Sequence, residues 1–162
     1  MKILIVYATN SGGTEEACEI VRDVLANAGH VVLLQRASST KPEDLGMYDL
    51  TILAAGTWEH ISTEGVRQES ALESEWRLLR EQSRDHRASG KHFAVIGLGD
   101  TRYTHFAAAA DHLEGLVKIM GGVLVGSLLR VDGFFFHLGE TRKQVRAWTD
   151  ALLKDPFFHR ES

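Results

Sequence analysis

Five runs rich in Val, Ile and Leu, at Lys2–Ala8, Val31–Gln35, Leu50–Ala55, His92–Leu98 and Val123–Val131, alternate with stretches of helical spacing. That alternation constrains the fold more than any other feature of the chain, because strands separated by helices read as βαβ units around a parallel sheet. The runs are nearly continuous in apolar residues, as strands covered by helices on both faces must be. The second and last fit the edges best. Between them, Thr14–Ala28 sets Ala17, Val21, Val24 and Ala28 on one stripe and stops at Gly29. Gln68–Asp85 puts Leu72, Trp76 and Leu79 on one face. Phe106–Met120 carries Phe106, Ala110, Leu113, Val117 and Met120 at three- and four-residue steps before Gly121-Gly122, and Glu140–Leu153 repeats the pattern with Val145, Trp148 and Leu152. Lys41–Met47 has room for no more than about two turns.

Composition narrows the class. At 162 residues, 44% hydrophobic and 25% charged, the chain has the makeup of one ordinary soluble globular domain that folds without disulfides or structural metal. Cys18 is the only cysteine and is expected in the core. No apolar run is long enough to cross a bilayer and the Lys2-led opening has no secretion pattern, so the expectation is a cytoplasmic protein with no membrane partner. A net charge of −4 without clustered Lys or Arg argues against nucleic acid.

In an open parallel sheet, ligands bind outside the carboxyl ends of the strands, where the chain order reverses. After the first strand comes Thr9-Asn10-Ser11-Gly12-Gly13-Thr14, running straight into a helix. Three hydroxyls, free N–H groups at a helix start and the positive end of its dipole make an anion cradle, and the guest expected is a phosphate. No Lys or Arg occurs from Ile3 to Val21, so charge compensation is expected to be dipolar. The plainer alternative is a turn in which Ser11 or Thr14 only caps the helix. After the third strand, Ala55-Gly56-Thr57-Trp58-Glu59-His60 puts an aromatic at the rim of the same crevice, suited to stacking. After the fourth, Gly97-Leu98-Gly99-Asp100-Thr101-Arg102-Tyr103 adds a second aromatic and exposes N–H and C=O groups to the polar edge of a planar heterocycle.

Rival motifs fail. A P-loop needs Gly-Lys-Ser/Thr where Gly-Gly-Thr stands, and the Gly97-Leu98-Gly99 pair lacks the third glycine of a dinucleotide fingerprint. The eight histidines show no metal-ligand spacing, so no metal is expected. Phe134-Phe135-Phe136 is expected to pack beneath the last helix rather than to form an exposed patch.

Taken together, Thr9-x-Ser11-Gly12-x-Thr14, Thr57-Trp58 and Gly97-x-Gly99-Asp100-x-x-Tyr103 resemble the flavodoxins, of the short-chain type, over essentially the whole chain. The run through Gly126–Gly133 lacks the extra loop that splits the last strand of long-chain members. The resemblance implies an α/β fold, a three-layer αβα doubly wound five-stranded parallel sheet of order 2-1-3-4-5. It implies a single flavodoxin-like domain over 1–162 with a short disordered tail near 155–162. The implied cofactor is FMN. By this likeness Thr9, Asn10, Ser11, Gly13 and Thr14, with Gly12 between them, hold its phosphate, Trp58 and Tyr103 sandwich its ring, Gly99 and Asp100 line the pyrimidine edge, and Gly56, Thr57, Glu59, Leu98 and Phe106 complete the contacts.

The implied function is a low-potential one-electron carrier between redox proteins, a reductase donor and an acceptor, working as a monomer and not as an enzyme. In the family the backbone carbonyl after the first aromatic turns to accept a hydrogen from the reduced ring, which is easiest when Gly follows. Here Glu59 stands there, so the first reduction step is expected to gain less. Glu59, Glu64 and Asp100 are offset by Arg102, with His60 and His105 titratable, which gives only a mildly negative local field. Gly13 stands where many relatives carry Asn, and the segment Glu59–Gly90 is longer than in compact members. An FMN-dependent reductase of a quinone-like acceptor and a flavin-free binding module are the alternatives. A phosphorylatable receiver domain is set aside, because it wants an acidic cluster where Thr9 and Asn10 stand.

Overall fold

A computed structural model describes residues 1–9, 12–56, 60–61, 67–68, 81, 83–85, 88–99 and 108–160. Its strands are β1 (Lys2–Ala8), β2 (Val31–Arg36), β3 (Leu50–Gly56), β4 (His60–Ile61), β5 (Arg67–Gln68), β6 (His92–Gly99), β7 (Val123–Leu124) and β8 (Leu129–Asp132). The helices bounded within the described residues are α1 (Gly13–Asn27), α2 (Ala108–Met120) and α3 (Leu138–Leu153), with short 3-10 turns at Ala37–Ser39, Pro42–Gly46 and Pro156–His159. The main sheet is parallel and runs β2-β1-β3-β6, with β7 and β8 both pairing β6. Counted as five positions, this is the order 2-1-3-4-5.

Side-chain alternation explains the three layers. Ile3, Ile5 and Tyr7 of β1, Leu50, Ile52 and Ala54 of β3 and Ala94, Ile96 and Leu98 of β6 point into one core with Ala17, Cys18, Val21 and Leu25 of α1 and Val145, Trp148 and Leu152 of α3. The intervening Leu4, Val6, Leu53, Phe93 and Val95 point the other way, against Ala110, Leu113, Val117 and Met120 of α2. Both faces of every central strand are thereby dry, which is why those strands read as unbroken apolar runs. Thr51 is the polar exception at 0% exposure, and its hydroxyl donates to the Leu45 carbonyl at 3.0 Å.

Several expectations need correction. The last run is not one strand: β7 and β8 are separated at residues 125–128, where Gly126 turns to φ +69 and leaves extended geometry. Val125 N–H still bonds the Phe93 carbonyl at 2.7 Å, so the chain follows β6 across the break without a long insertion. The stripe of α1 is rotated: Leu25 and Cys18 are buried, Val24 is half-buried and Ala28 exposed. Thr14, Cys18, Val21 and Leu25 keep the same helical period, and the larger side chains take the sheet-facing line. Gln68, expected to open a helix, pairs with His60 in the antiparallel β4–β5 ladder. Glu81 and Ser83 are helical, whereas Leu72, Trp76 and Leu79 lie outside the described residues. Within the stretch expected to be a loose tail, Asp155 accepts a bond from Phe157 N–H at 2.9 Å and Phe157 is buried, while residues 161–162 lie outside the described residues. Of the three consecutive phenylalanines only Phe134 is buried; Phe135 and Phe136 are 51% and 66% exposed.

Candidate cofactor site

Parallel register lines up the carboxyl ends of the strands. Tyr7 pairs with Arg36, Ala8 with Ala55, Gly56 with Leu98, and Gly99 with Asp132. The chain therefore leaves β2, β1, β3, β6 and β8 side by side along one edge, adjacent strands standing about 4.8 Å apart. Strand order reverses at β1, whose neighbours are β2 on one flank and β3 on the other. The turn after β1 thus lies at the switch point, and the ends of β3 and β6 follow it in order within about 10 Å.

The turn itself is built to expose backbone donors. Thr9 Oγ1 accepts the N–H of Gly12 at 2.9 Å, which closes the loop on itself. Gly12 then takes φ +88, a conformation costly for residues with a Cβ, and serves as the N-cap of α1 without any side-chain cap. Open space surrounds the position where its Cβ would stand. The first intrahelical bond runs from Glu16 N–H to the Gly12 carbonyl, so the N–H groups of Gly13, Thr14 and Glu15 have no carbonyl four residues back within the helix. Thr14 is buried at 3% exposure under the same turn. A side-chain cap at Gly12 would have filled this position; its absence leaves a cradle that fits an anionic oxygen cluster such as a phosphate.

The charge around the cradle differs from the expectation of purely dipolar compensation. Arg36, the last residue of β2, reaches across and donates from Nη2 to the Thr9 carbonyl at 3.2 Å, with its guanidinium carbon 5.8 Å from the centre of the Tyr7 ring. Tyr7 O–H in turn donates to Glu15 Oε1 at 2.8 Å. Burial pushes the Tyr7 phenol up to about 12, helped by that bond and by the Glu15 charge, so it stays a neutral donor. Glu16 is held by Arg142 of α3, whose Nε donates to Oε1 at 2.8 Å while Nη2 meets the same oxygen. Sequence reading ended the second strand at Gln35 and so passed over Arg36. The available signal was the implied strand order, which sets the end of β2 beside the start of the turn.

Of the expected site residues, the structure brings Thr9, Gly12, Gly13, Thr14, Gly56, Leu98 and Gly99 to the one edge. Asn10, Ser11, Thr57, Trp58, Glu59, Asp100, Tyr103 and Phe106 lie outside the described residues, as do Glu64, Arg102 and His105. A Cβ at Gly13 would stand 3.2 Å from Phe135 Cε2 and 3.5 Å from Phe134 Cδ1. The two phenylalanines wall the cradle on the side of β8. Cys18 is fully buried and its thiol is pushed up by desolvation, an inert core group. Among the described residues no cluster of metal-ligating side chains occurs, and no helix is long and apolar enough to cross a membrane.

The same organisation recurs in known proteins. Residues 5–148 match the family model described as flavodoxin. A flavodoxin of Maridesulfovibrio salexigens is 32% identical over 93% of this chain and 96% of its own length. The solved structure of oxidised flavodoxin 2 from Bacillus cereus superposes with a TM-score of 0.79 at 28% identity, covering 95% of this chain and 99% of that one. A flavodoxin variant from Fusobacterium nucleatum with flavin mononucleotide bound shares the fold, with a TM-score of 0.76 at 18% identity over 94% of this chain and 95% of that one.

Proposed function

The chain belongs to the flavodoxin family of FMN-binding electron carriers, and on that premise we propose that the turn from Thr9 to Thr14 seats the FMN phosphate and that the turns after β3 and β6 hold the ring. The observation that carries this reading is the uncapped start of α1 at the switch point, with Thr9 Oγ1 holding the Gly12 N–H and the next N–H groups free of helical partners.

Bound FMN supplies reversible one-electron chemistry. The rest belongs to the chain. Thr9 spends an oxygen lone pair on Gly12 and keeps its hydroxyl hydrogen to donate to the phosphate. Gly13, Thr14 and Glu15 offer backbone N–H groups aided by the helix dipole. Asn10 and Ser11 complete the donor set. Trp58 and Tyr103 stack on the two ring faces and exclude water, while Gly99 and Asp100 present backbone groups to the pyrimidine edge. The Glu59 carbonyl, just after the first aromatic, would hold a hydrogen bond to the reduced ring, with Glu59 resisting the turn that Gly would allow. Electrons pass to and from redox proteins, and the chain acts as a monomeric cytoplasmic carrier without a substrate of its own.

Stepwise reduction of the purified protein followed by visible absorption tests the reading. A flavin spectrum that passes through a one-electron stage supports it. A chain that takes up no FMN overturns it, and sustained nicotinamide oxidation by the isolated protein replaces the carrier with a reductase.

A further inference from the structure

The cradle must hold a dianion, yet its own segment carries no Lys or Arg from Ile3 to Val21 and places Glu15 and Glu16 in the first turn of α1. Two carboxylates beside a phosphate oppose binding, and the roughly half charge at a helix start does not offset them. Each carboxylate is answered from elsewhere in the fold. Glu16 is neutralised by Arg142, but Glu15 is met by the neutral phenol of Tyr7. Among the described residues, Arg36 is a cation on that side, stacked over the Tyr7 ring and bonded to the Thr9 carbonyl.

We propose that Arg36, from the end of β2, is a positioning and specificity residue for the phosphate: it fixes Thr9 through its carbonyl and supplies the positive charge that the loop sequence lacks, so that the chain prefers a phosphorylated flavin to its dephosphorylated form. This rests on the FMN reading above. The position is half-buried, where a guanidinium is screened less than at the open surface, and its planar fork suits both the ring face and the carbonyl. The effect acts in two links. Thr9 Oγ1 closes on Gly12 N–H only while Thr9 is held in place, and Arg36 holds it. The charge acts at the same time on whatever anion the turn receives.

The test compares FMN with riboflavin, which has the same ring and no phosphate. Full-length protein stripped of flavin is titrated with each at several ionic strengths, for the wild type, Arg36→Gln and Arg36→Lys. Arg36→Gln should weaken FMN about tenfold, equivalent to about 1.4 kcal/mol, leave riboflavin within about twofold, and flatten the salt dependence of FMN binding. Arg36→Lys, which keeps the charge without the planar fork, should recover part of the loss. An equal loss for both ligands would reduce Arg36 to a structural prop and overturn the inference, as would unchanged FMN binding or a Lys variant as weak as Gln. Should Arg36→Gln fail to fold, the wild type still decides: FMN affinity as indifferent to salt as riboflavin affinity refutes the role. A wild type that binds neither flavin refutes the proposed function instead.

Discussion

Gly97→Ala adds one methyl group where the structure has no room for it. Gly97 lies on β6 and faces α2; an added Cβ would stand 2.7 Å from Ala110 Cβ, 2.9 Å from Ala110 N and 3.2 Å from Ala110 Cα. Carbon atoms rest about 3.5–4.0 Å apart. All three obstacles belong to the backbone and Cβ of one helical residue, so no rotamer relieves the clash and the start of α2 must lift by about 1 Å. Overpacking of this kind costs about 1–3 kcal/mol. In a domain of this length, each kcal/mol moves Tm by roughly 2–4 °C, so the variant should melt about 2–12 °C lower. Gly115, on the same helix, has nothing within 4 Å of its would-be Cβ. There the same substitution gains helix propensity of about 0.8–1.0 kcal/mol and should raise Tm by a few degrees. Thermal unfolding of both flavin-free variants, followed by far-UV circular dichroism, gives the signs. A Gly97→Ala chain that melts with the wild type would refute the close approach of α2 to β6, and a Gly115→Ala chain that melts below it would refute the open space beside Gly115.

Burial holds the imidazoles of His30 and His92 below the ordinary 6.5, assisted by the N-terminal amine at His30 and by Arg160 and Lys91 at His92, with Phe158 and Phe157 against their rings. The unfolded chain therefore binds protons first as pH falls, stability is full above about 6.5, and urea midpoints should decline as pH falls below it, less so in a His30→Gln, His92→Gln chain. Gly13→Asn should be tolerated within about 1 kcal/mol, because the half-exposed Phe135 ring can swing aside, and calorimetry should show FMN bound more tightly; a large loss of stability would mean that Phe135 is fixed. Potentiometric titration of Glu59→Gly should raise the first reduction potential by about 40–90 mV, the equivalent of about 1–2 kcal/mol of backbone cost for one electron, and an unchanged potential would remove Glu59 from the account.

The layers were legible because burial on both faces leaves a plain mark in composition. Strands such as Lys2–Ala8 and Leu50–Gly56 carry apolar residues at nearly every position, whereas α2 and α3 carry them at three- and four-residue steps, and the two periods cannot be confused over such lengths. The break between β7 and β8 was not legible. Val123 to Val131 reads as one apolar run, and the interruption depends on φ at Gly126 together with the approach of Leu152 from α3, which are tertiary facts. Phe135 and Phe136 misled for a related reason: a triplet of phenylalanines has the composition of a core, but only Phe134 falls on the inward side of the turn.

The cradle shows where local reading stops. Its glycines and hydroxyls lie close together in the chain, so a turn that begins at Thr9 and enters α1 at Gly12 could be read from sequence alone. Its charge could not, since the residues that set it sit 27 and 126 positions away along the chain from those they bind, Arg36 from Thr9 and Arg142 from Glu16. Parallel register is what brings Arg36 there, by pairing it with Tyr7 two residues before the turn. A loop searched only for its own lysines looks uncompensated; the same loop placed at a switch point receives Arg36 from β2, and the first turn of its helix receives Arg142 from α3. The electrostatics of such a site thus belong to the sheet edge as a whole, and a residue at the end of β2 bears on the turn through the Thr9 carbonyl it bonds.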